Sequence, residues 1–190
     1  MGALRTPRET WVESGLAVLA ESGVDAVRVE ALAKSLGVTK GGFYRWFADR
    51  AALLDAMLDV WERESTVDVL DRVARECDNP LDRARLAGRL TFSGDRLLPI
   101  DLAVRDWARR DRAVAERLRR VDNQRMQLLR DAIGTVCSDP AEVEARSLLA
   151  FCAAIGSHFL AADHPGSTRL EVIARAGDLL LSPEPGGRAP

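Results

Sequence analysis

Lys40 and Tyr44 lie four residues apart and carry an ammonium and a phenol. Both groups can donate hydrogen bonds to phosphate oxygens. On a helix this spacing puts them on one face, a turn apart, and Arg45 adds a second cation beside them. Phe43 and Phe47 share the same spacing on another face, which their side chains mark as core-facing. Gly41 and Gly42 sit between the two sets. Each glycine costs about 1 kcal/mol relative to alanine inside a helix. Without Cβ atoms the backbone can approach another surface closely, such as the floor of a major groove. In a loose first turn the same pair costs little, so both readings stand. Lys34 and Lys40 are the only lysines of the chain, and both fall in this stretch.

These residues need a scaffold, and the surrounding pattern supplies helices. Thr6-Pro7-Arg8-Glu9 reads as a capping box with proline at the first helical position. Val12, Leu16, Leu19 and Ala20 follow at helical spacing until Gly23. A second short helix carries Val29, Leu32, Ala33 and Leu36. Gly37 then suits a sharp turn with positive φ. Thr39 is placed to cap a third helix holding Phe43 and Phe47. Asp49 is placed to cap a fourth, running through Leu53, Leu54, Met57, Leu58 and Trp61 toward Val73. Asn79-Pro80 opens a fifth. Helical patterns resume over Ile100 to Arg109 and Ala113 to Val136. Asp139-Pro140-Ala141-Glu142 reads as another capping box, ahead of a long apolar helix to about Ala162. Leu170 to Leu181 forms the last helix, and the Pro- and Gly-rich tail from Ser182 is expected to be disordered. No strand alternation occurs, so the expected fold is all-α.

Composition narrows the function. The chain has 190 residues, 47% of them hydrophobic, which suffices for a sizeable core. Its formal net charge of −2 and pI of about 5.8 argue against a protein that coats nucleic acid, so any DNA contact must come from a local patch. Cys77, Cys137 and Cys152 form no CxxC pair, so neither a zinc site nor a disulfide framework is expected, and reduced thiols fit a cytoplasmic protein. Arg8, Glu9, Glu13 and Glu21 interrupt the first apolar residues, against a secretory leader. No run of 18 uncharged apolar residues suggests a membrane span. His158 and His164 stand at no known spacing from a nucleophile, and Gly-rich phosphate loops are missing. No enzyme, metal site or cofactor is expected. The arginines between Arg105 and Arg120 alternate with Asp106, Asp111 and Glu116 and read as a solvated helical surface.

The run from Ala31 to Phe47, ALAKSLGVTKGGFYRWF, closely resembles the helix-turn-helix of the tetracycline-repressor (TetR) family. Asp49-Arg50-Ala51-Ala52-Leu53-Leu54 resembles the start of that family's fourth helix. The likeness covers about the first 60 residues. One departure is Trp46, where a histidine is frequent. The resemblance implies a homodimeric regulator of about nine helices, usually a repressor released from operator DNA by a small molecule. It implies a DNA-binding domain over 1–48, with Thr39, Lys40 and Gly41 facing bases or adjacent phosphates. Tyr44 and Arg50 would each bind a phosphate. Arg28 joins them on charge alone, and for Arg28 and Arg50 alike a solvated surface role is the alternative.

The remainder, 49–181, is expected to bind the effector and the second subunit. Glu142 to Ala162 is apolar on more than one face, as a helix buried on both sides would be. Leu148, Cys152, Ile155 and Phe159, with Ile173 and Leu180 of the last helix, are the candidate dimer contacts, in a four-helix interface. Trp61, Phe92, Trp107, Met126, Phe151 and His158 are candidates for lining a cavity for a mainly apolar effector. For any one of them ordinary core is the competing reading. A different class of function also fits: a helical interaction protein whose DNA-binding module answers to a protein partner or to no effector.

Overall fold

The computed structural model describes residues 6–92 and 96–182. Within them the chain is helical throughout and has no strand. The elements are α1 (Arg8–Ser22), a 3₁₀ turn (Val24–Ala26), α2 (Val29–Ser35), α3 (Lys40–Phe43), α4 (Arg50–Ser65) and α5 (Val67–Glu76). They continue as α6 (Pro80–Phe92), α7 (Leu97–Ala108), α8 (Arg112–Ile133), α9 (Pro140–Gly156) and α10 (Arg169–Leu181). The tail beyond Ser182, expected to be disordered, lies outside the described residues.

Three of the expected caps form. Asp49 accepts from Ala52 N at 2.9 Å, Asn79 from Asp82 N at 2.9 Å, and Asp139 from Ala141 N at 3.0 Å. Each satisfies an amide that the first helical turn leaves open. Thr6 does not cap α1. Pro7 holds the N-cap position, and the Thr6 carbonyl accepts the Trp46 indole N–H at 3.0 Å instead. The single helix expected from Asp49 toward Val73 is two, broken at Thr66 (φ −126°, ψ −80°). The long apolar helix expected to reach Ala162 stops at Gly156. Arg169 Nη1 donates to the Ser157 carbonyl at 2.6 Å and Nη2 to Ala162 O at 3.2 Å, tying down the segment that follows. His158 therefore follows α9 rather than lying inside it.

Contacts divide the chain into two compact units, Met1–Ser65 with Asp95–Arg119, and Thr66–Gly94 with Arg120–Pro190. In the first unit Trp11, Leu16, Leu19, Leu53, Met57 and Trp61 are fully buried. α1 and α4 cross closely: a Cβ at Gly15 would lie 2.6 Å from Met57 Sδ. A polar node fastens α7 to α4, where fully buried Asp101 accepts from Trp61 Nε1 at 3.3 Å and from Arg105 Nε at 2.9 Å. At the start of α7, Arg96 donates to both carboxylate oxygens of Glu13 (2.8 and 3.0 Å) and of Glu64 (3.0 and 2.8 Å). The second unit packs Ile133, Cys137 and Leu181 together with Leu81 and Val143. Arg130 reaches Glu144 through two hydrogen bonds of 2.6 and 2.9 Å, pairing α8 with α9.

Candidate DNA-binding site

The turn between α2 and α3 is closed by the backbone. Val38 N donates to Ala33 O at 2.9 Å and Gly37 N to Lys34 O at 3.2 Å. Gly37 sits at φ +67°, where a side chain would be strained. α3 is a single turn, followed by bonds from Trp46 N and Phe47 N to Phe43 O. An aromatic cluster holds this short element in place. Buried Phe43 stacks on Phe47 at 5.3 Å and meets Trp11 of α1 edge-on at 5.4 Å. The Tyr44 ring lies edge-on to Phe43 at 5.3 Å while the residue stays 60% exposed. Core packing thus orients the tyrosine outward, as the four-residue spacing requires.

Lys40 is exposed and forms an ion pair with Glu30 of α2. Their hydrogen bond is the largest cause raising the pKa of the ammonium and lowering that of the carboxyl. Glu30 had no motif to mark it. The pair is solvent-exposed and adds little stability, but it sets where the lysine stands. Thr39 is exposed at the N-cap position and makes no side-chain capping bond, contrary to the expected cap. Gly41 is exposed. A Cβ there would meet only Thr39 Oγ1 at 3.6 Å, and one at Gly42 only Trp11 Cζ2 at 3.8 Å. Internal packing does not demand either glycine.

Arg45 is exposed. Arg28 is exposed too, with Nε donating to Asp25 O at 3.3 Å. Arg50 is different. Its Nε and Nη2 donate to the Val27 and Val24 carbonyls at 2.5 Å each, and it is half-buried. This arginine fastens α4 to the segment before α2. Trp46, at the departure from the family pattern, is 46% exposed and reaches back to Thr6; Arg8 stacks 5.2 Å from the Phe47 ring centroid. Between residues 28 and 50 there are five cations and two carboxylates, in a chain of net charge −2. The local patch that the composition calls for is therefore present.

Residues 12–57, which contain this arrangement, match the bacterial regulatory proteins of the tetR family. Over these residues the chain is similar to the N-terminal region of the TetR family. Its sequence is 26% identical to the nucleoid occlusion factor SlmA of Marinomonas sp. (strain MWYL1) over 140 residues, covering 70% of this chain and 71% of that one. Similar solved structures include the ketosteroid transcriptional regulator KstR2 of Mycobacterium tuberculosis, with TM-score 0.65, 19% identity and 95% of each chain covered. AibR, solved with isovaleryl coenzyme A and operator DNA, has TM-score 0.67 and 14% identity, covering 93% of this chain and 99% of its own. A TetR-family regulator from Vibrio parahaemolyticus has TM-score 0.61 and 23% identity, with 90% and 96% covered. At these identities the structures establish a shared all-helical fold. The match over residues 12–57 is to bacterial regulatory proteins, and it covers the helix-turn-helix described above. Among the chain's described residues no helix is long and apolar enough to cross a membrane.

The remaining candidates separate by unit. Trp61 and Trp107 are core residues of the first, and the indole of Trp61 is engaged by Asp101. In the second, Phe92 and Phe151 meet edge-on at 6.2 Å, both half-buried. Met126 is buried and His158 half-buried, and no described group of His, Cys, Asp and Glu could hold a metal. Of the dimer candidates, Leu148, Cys152 and Phe159 are exposed, while Ile155, Ile173 and Leu180 are half-buried. Leu149, Leu160, Leu170 and Leu179 are exposed as well, from 56% to 66%.

Proposed function

We propose that the chain is a homodimeric cytoplasmic repressor that leaves its operator when a small, mainly apolar molecule binds beyond residue 48. The observation that carries the DNA-facing part is the outward Tyr44 beside Lys40, on a turn whose other face is locked by Phe43 and Phe47. Thr39, Lys40 and Gly41 would meet bases or adjacent phosphates, with Tyr44, Arg45 and Arg28 on phosphates. Arg50 would act by holding α4 against the segment before α2, since two backbone carbonyls engage its guanidinium. Exposed leucines on α9 and α10 support a second copy as partner, because apolar surface of that kind gains free energy when covered. Two copies would place their helix-turn-helix elements on half-sites about 34–36 Å apart.

Release needs an effector that binds the DNA-free form more tightly, by about 1.4 kcal/mol for each tenfold loss of operator affinity. That AibR was solved with an acyl coenzyme A and operator DNA supports this chemistry on a fold of this type. The likeness to a nucleoid occlusion factor supports a second reading, in which the module answers to a protein partner or to no effector. The test is to select operator sequences from random DNA with the purified chain, then titrate labelled operator with and without cell-extract metabolites. Saturable operator binding that a small-molecule fraction reverses is expected. Operator binding that no such fraction alters would favour the second reading, and the failure of any sequence to enrich would sink both.

A further inference from the structure

We infer that Glu30 of α2 reads a cytosine of the operator, its carboxylate accepting from the N4 amino group in the major groove while Lys40 bridges it to the neighbouring phosphate. The inference rests on the DNA-binding reading above and names a base for the same site. Glu30 and Lys40 join α2 to α3 as an exposed ion pair, with side chains 65% and 53% exposed. Lys40 stands between Thr39 and Gly41, and all three are open to solvent. The carboxylate is therefore held within hydrogen-bond reach of the surface proposed to meet DNA. Asp49 is the other carboxylate between residues 28 and 50, and it is spent on the first turn of α4, where it accepts from Ala52 N at 2.9 Å. Glu30 has no such structural duty: a solvent-exposed pair adds little stability.

A carboxylate beside DNA phosphates is repelled unless a cation offsets it. Lys40 supplies that cation. An ammonium has three donors, so one on Glu30 leaves two for a phosphate oxygen. The hydrogen bond from Lys40 also holds the Glu30 pKa below its ordinary 4.5, so the group meets DNA ionised and can only accept. The four bases offer such an acceptor different edges in the major groove. Guanine presents the acceptors N7 and O6, and thymine presents O4 and a methyl group, so both oppose it. Adenine offers its N6 amino group but sets the N7 lone pair beside it. Cytosine offers its N4 amino group with no acceptor next to it on the same base. An ionised glutamate therefore favours cytosine, whereas a glutamine, with a donor and an acceptor, favours adenine. A surface that held DNA by charge alone would bind better with no carboxylate at this place.

The test uses the full chain and a library of random DNA duplexes, selected in parallel with the parent, Glu30→Gln and Glu30→Ala. The parent is expected to enrich half-sites with one strongly preferred cytosine. Glu30→Gln should enrich adenine at that position and Glu30→Ala should show no preference there, with the other positions kept. A carboxylate that merely placed Lys40 would not give the glutamine variant a new base. Changing that cytosine to thymine should lower the parent's affinity about tenfold and leave that of Glu30→Ala within about twofold. Affinity for duplex lacking the operator should rise in both variants, since each removes a negative charge from the DNA face. Unchanged values would place Glu30 away from DNA and overturn the assignment. A consensus common to all three proteins, or a loss of preference spread over the whole half-site, overturns it too and leaves the DNA-binding reading standing. If the parent enriches no sequence, that reading fails and takes the assignment with it.

Discussion

The α1–α4 core and the α9–α10 pair spend their apolar residues in opposite ways. In the former, Trp11, Leu16, Phe43, Phe47 and Leu53 are all buried within a single chain, and the outward positions carry Lys40, Tyr44 and Arg45. In the latter, Leu148, Leu149, Phe159, Leu160, Leu170 and Leu179 remain more than half exposed. A module that completes its own core can offer its polar face to a nucleic acid. A pair of helices that leaves leucines in water has a surface that gains free energy when covered. Local sequence therefore specifies the first region, and on the proposed dimer association would specify the second.

The sharpest way to break this contrast is to charge the exposed face. Leu148→Arg with Leu149→Arg should leave the protomer's helicity intact, since both side chains already contact water, yet yield monomers in sedimentation. Operator affinity should then drop by roughly 10²–10⁴-fold, the range lost when two linked sites act singly. A dimer that withstands both arginines would place the interface elsewhere. The corresponding change in the closed region acts on folding instead. Phe43→Ala removes the ring at the centre of the Trp11, Tyr44 and Phe47 contacts and should cost about 3–5 kcal/mol in denaturant unfolding. A loss below about 1 kcal/mol would show that the cluster does not hold α3.

Smaller effects probe the polar joints. Trp61→Phe keeps the bulk of a buried ring but removes the N–H that Asp101 accepts, at an expected cost of about 1–3 kcal/mol. Melts that coincide with the parent's would make that bond dispensable. Lys40→Ala should leave stability unchanged and lower the salt dependence of operator binding by about 0.9 in log–log slope, the share of one phosphate contact. An unaltered slope would mean that Glu30, not phosphate, is the lysine's working partner.

Much of this was legible because the signals are local. The spacing of Phe43, Tyr44 and Phe47 announced both faces of the helix-turn-helix, and Asp49, Asn79 and Asp139 each capped the helix they precede. Periodicity failed where burial continues through a break. Trp61, Ser65, Val69 and Val73 recur every four residues and are all buried, so the pattern runs unbroken across Thr66 although the helix does not. Long-range bonds were invisible too. Arg50 looked like a free surface cation, and only folding brings it to carbonyls 23 and 26 residues away. Thr6 looked like a cap, but its carbonyl serves a tryptophan 40 residues later.

α10 shows how the open region holds its shape within one chain. Its start was read as Leu170, yet Thr168 is the true N-cap: its hydroxyl accepts from Glu171 N at 3.2 Å, and Glu171 accepts from Thr168 N at 2.7 Å. Removing this cap by Thr168→Ala should cost about 1 kcal/mol, less than any core change above. The carboxylate gives the cap a pH dependence. Hydrogen bonds from the Thr168 backbone, and then its side chain, hold the Glu171 pKa below its ordinary 4.5. With the folded value depressed, the contribution is complete above the unfolded value and disappears as pH falls through the folded one. Glu171→Gln keeps an acceptor oxygen but cannot titrate. The stability difference between parent and Glu171→Gln should thus be constant from pH 7 to about 5 and shrink below 4.5. Glu30 and Glu144 are also depressed, but they are common to both proteins and cancel in that difference. A difference that stays constant down to pH 3 would show that Glu171 contributes as a neutral acceptor and that the ionised box does not hold the start of α10.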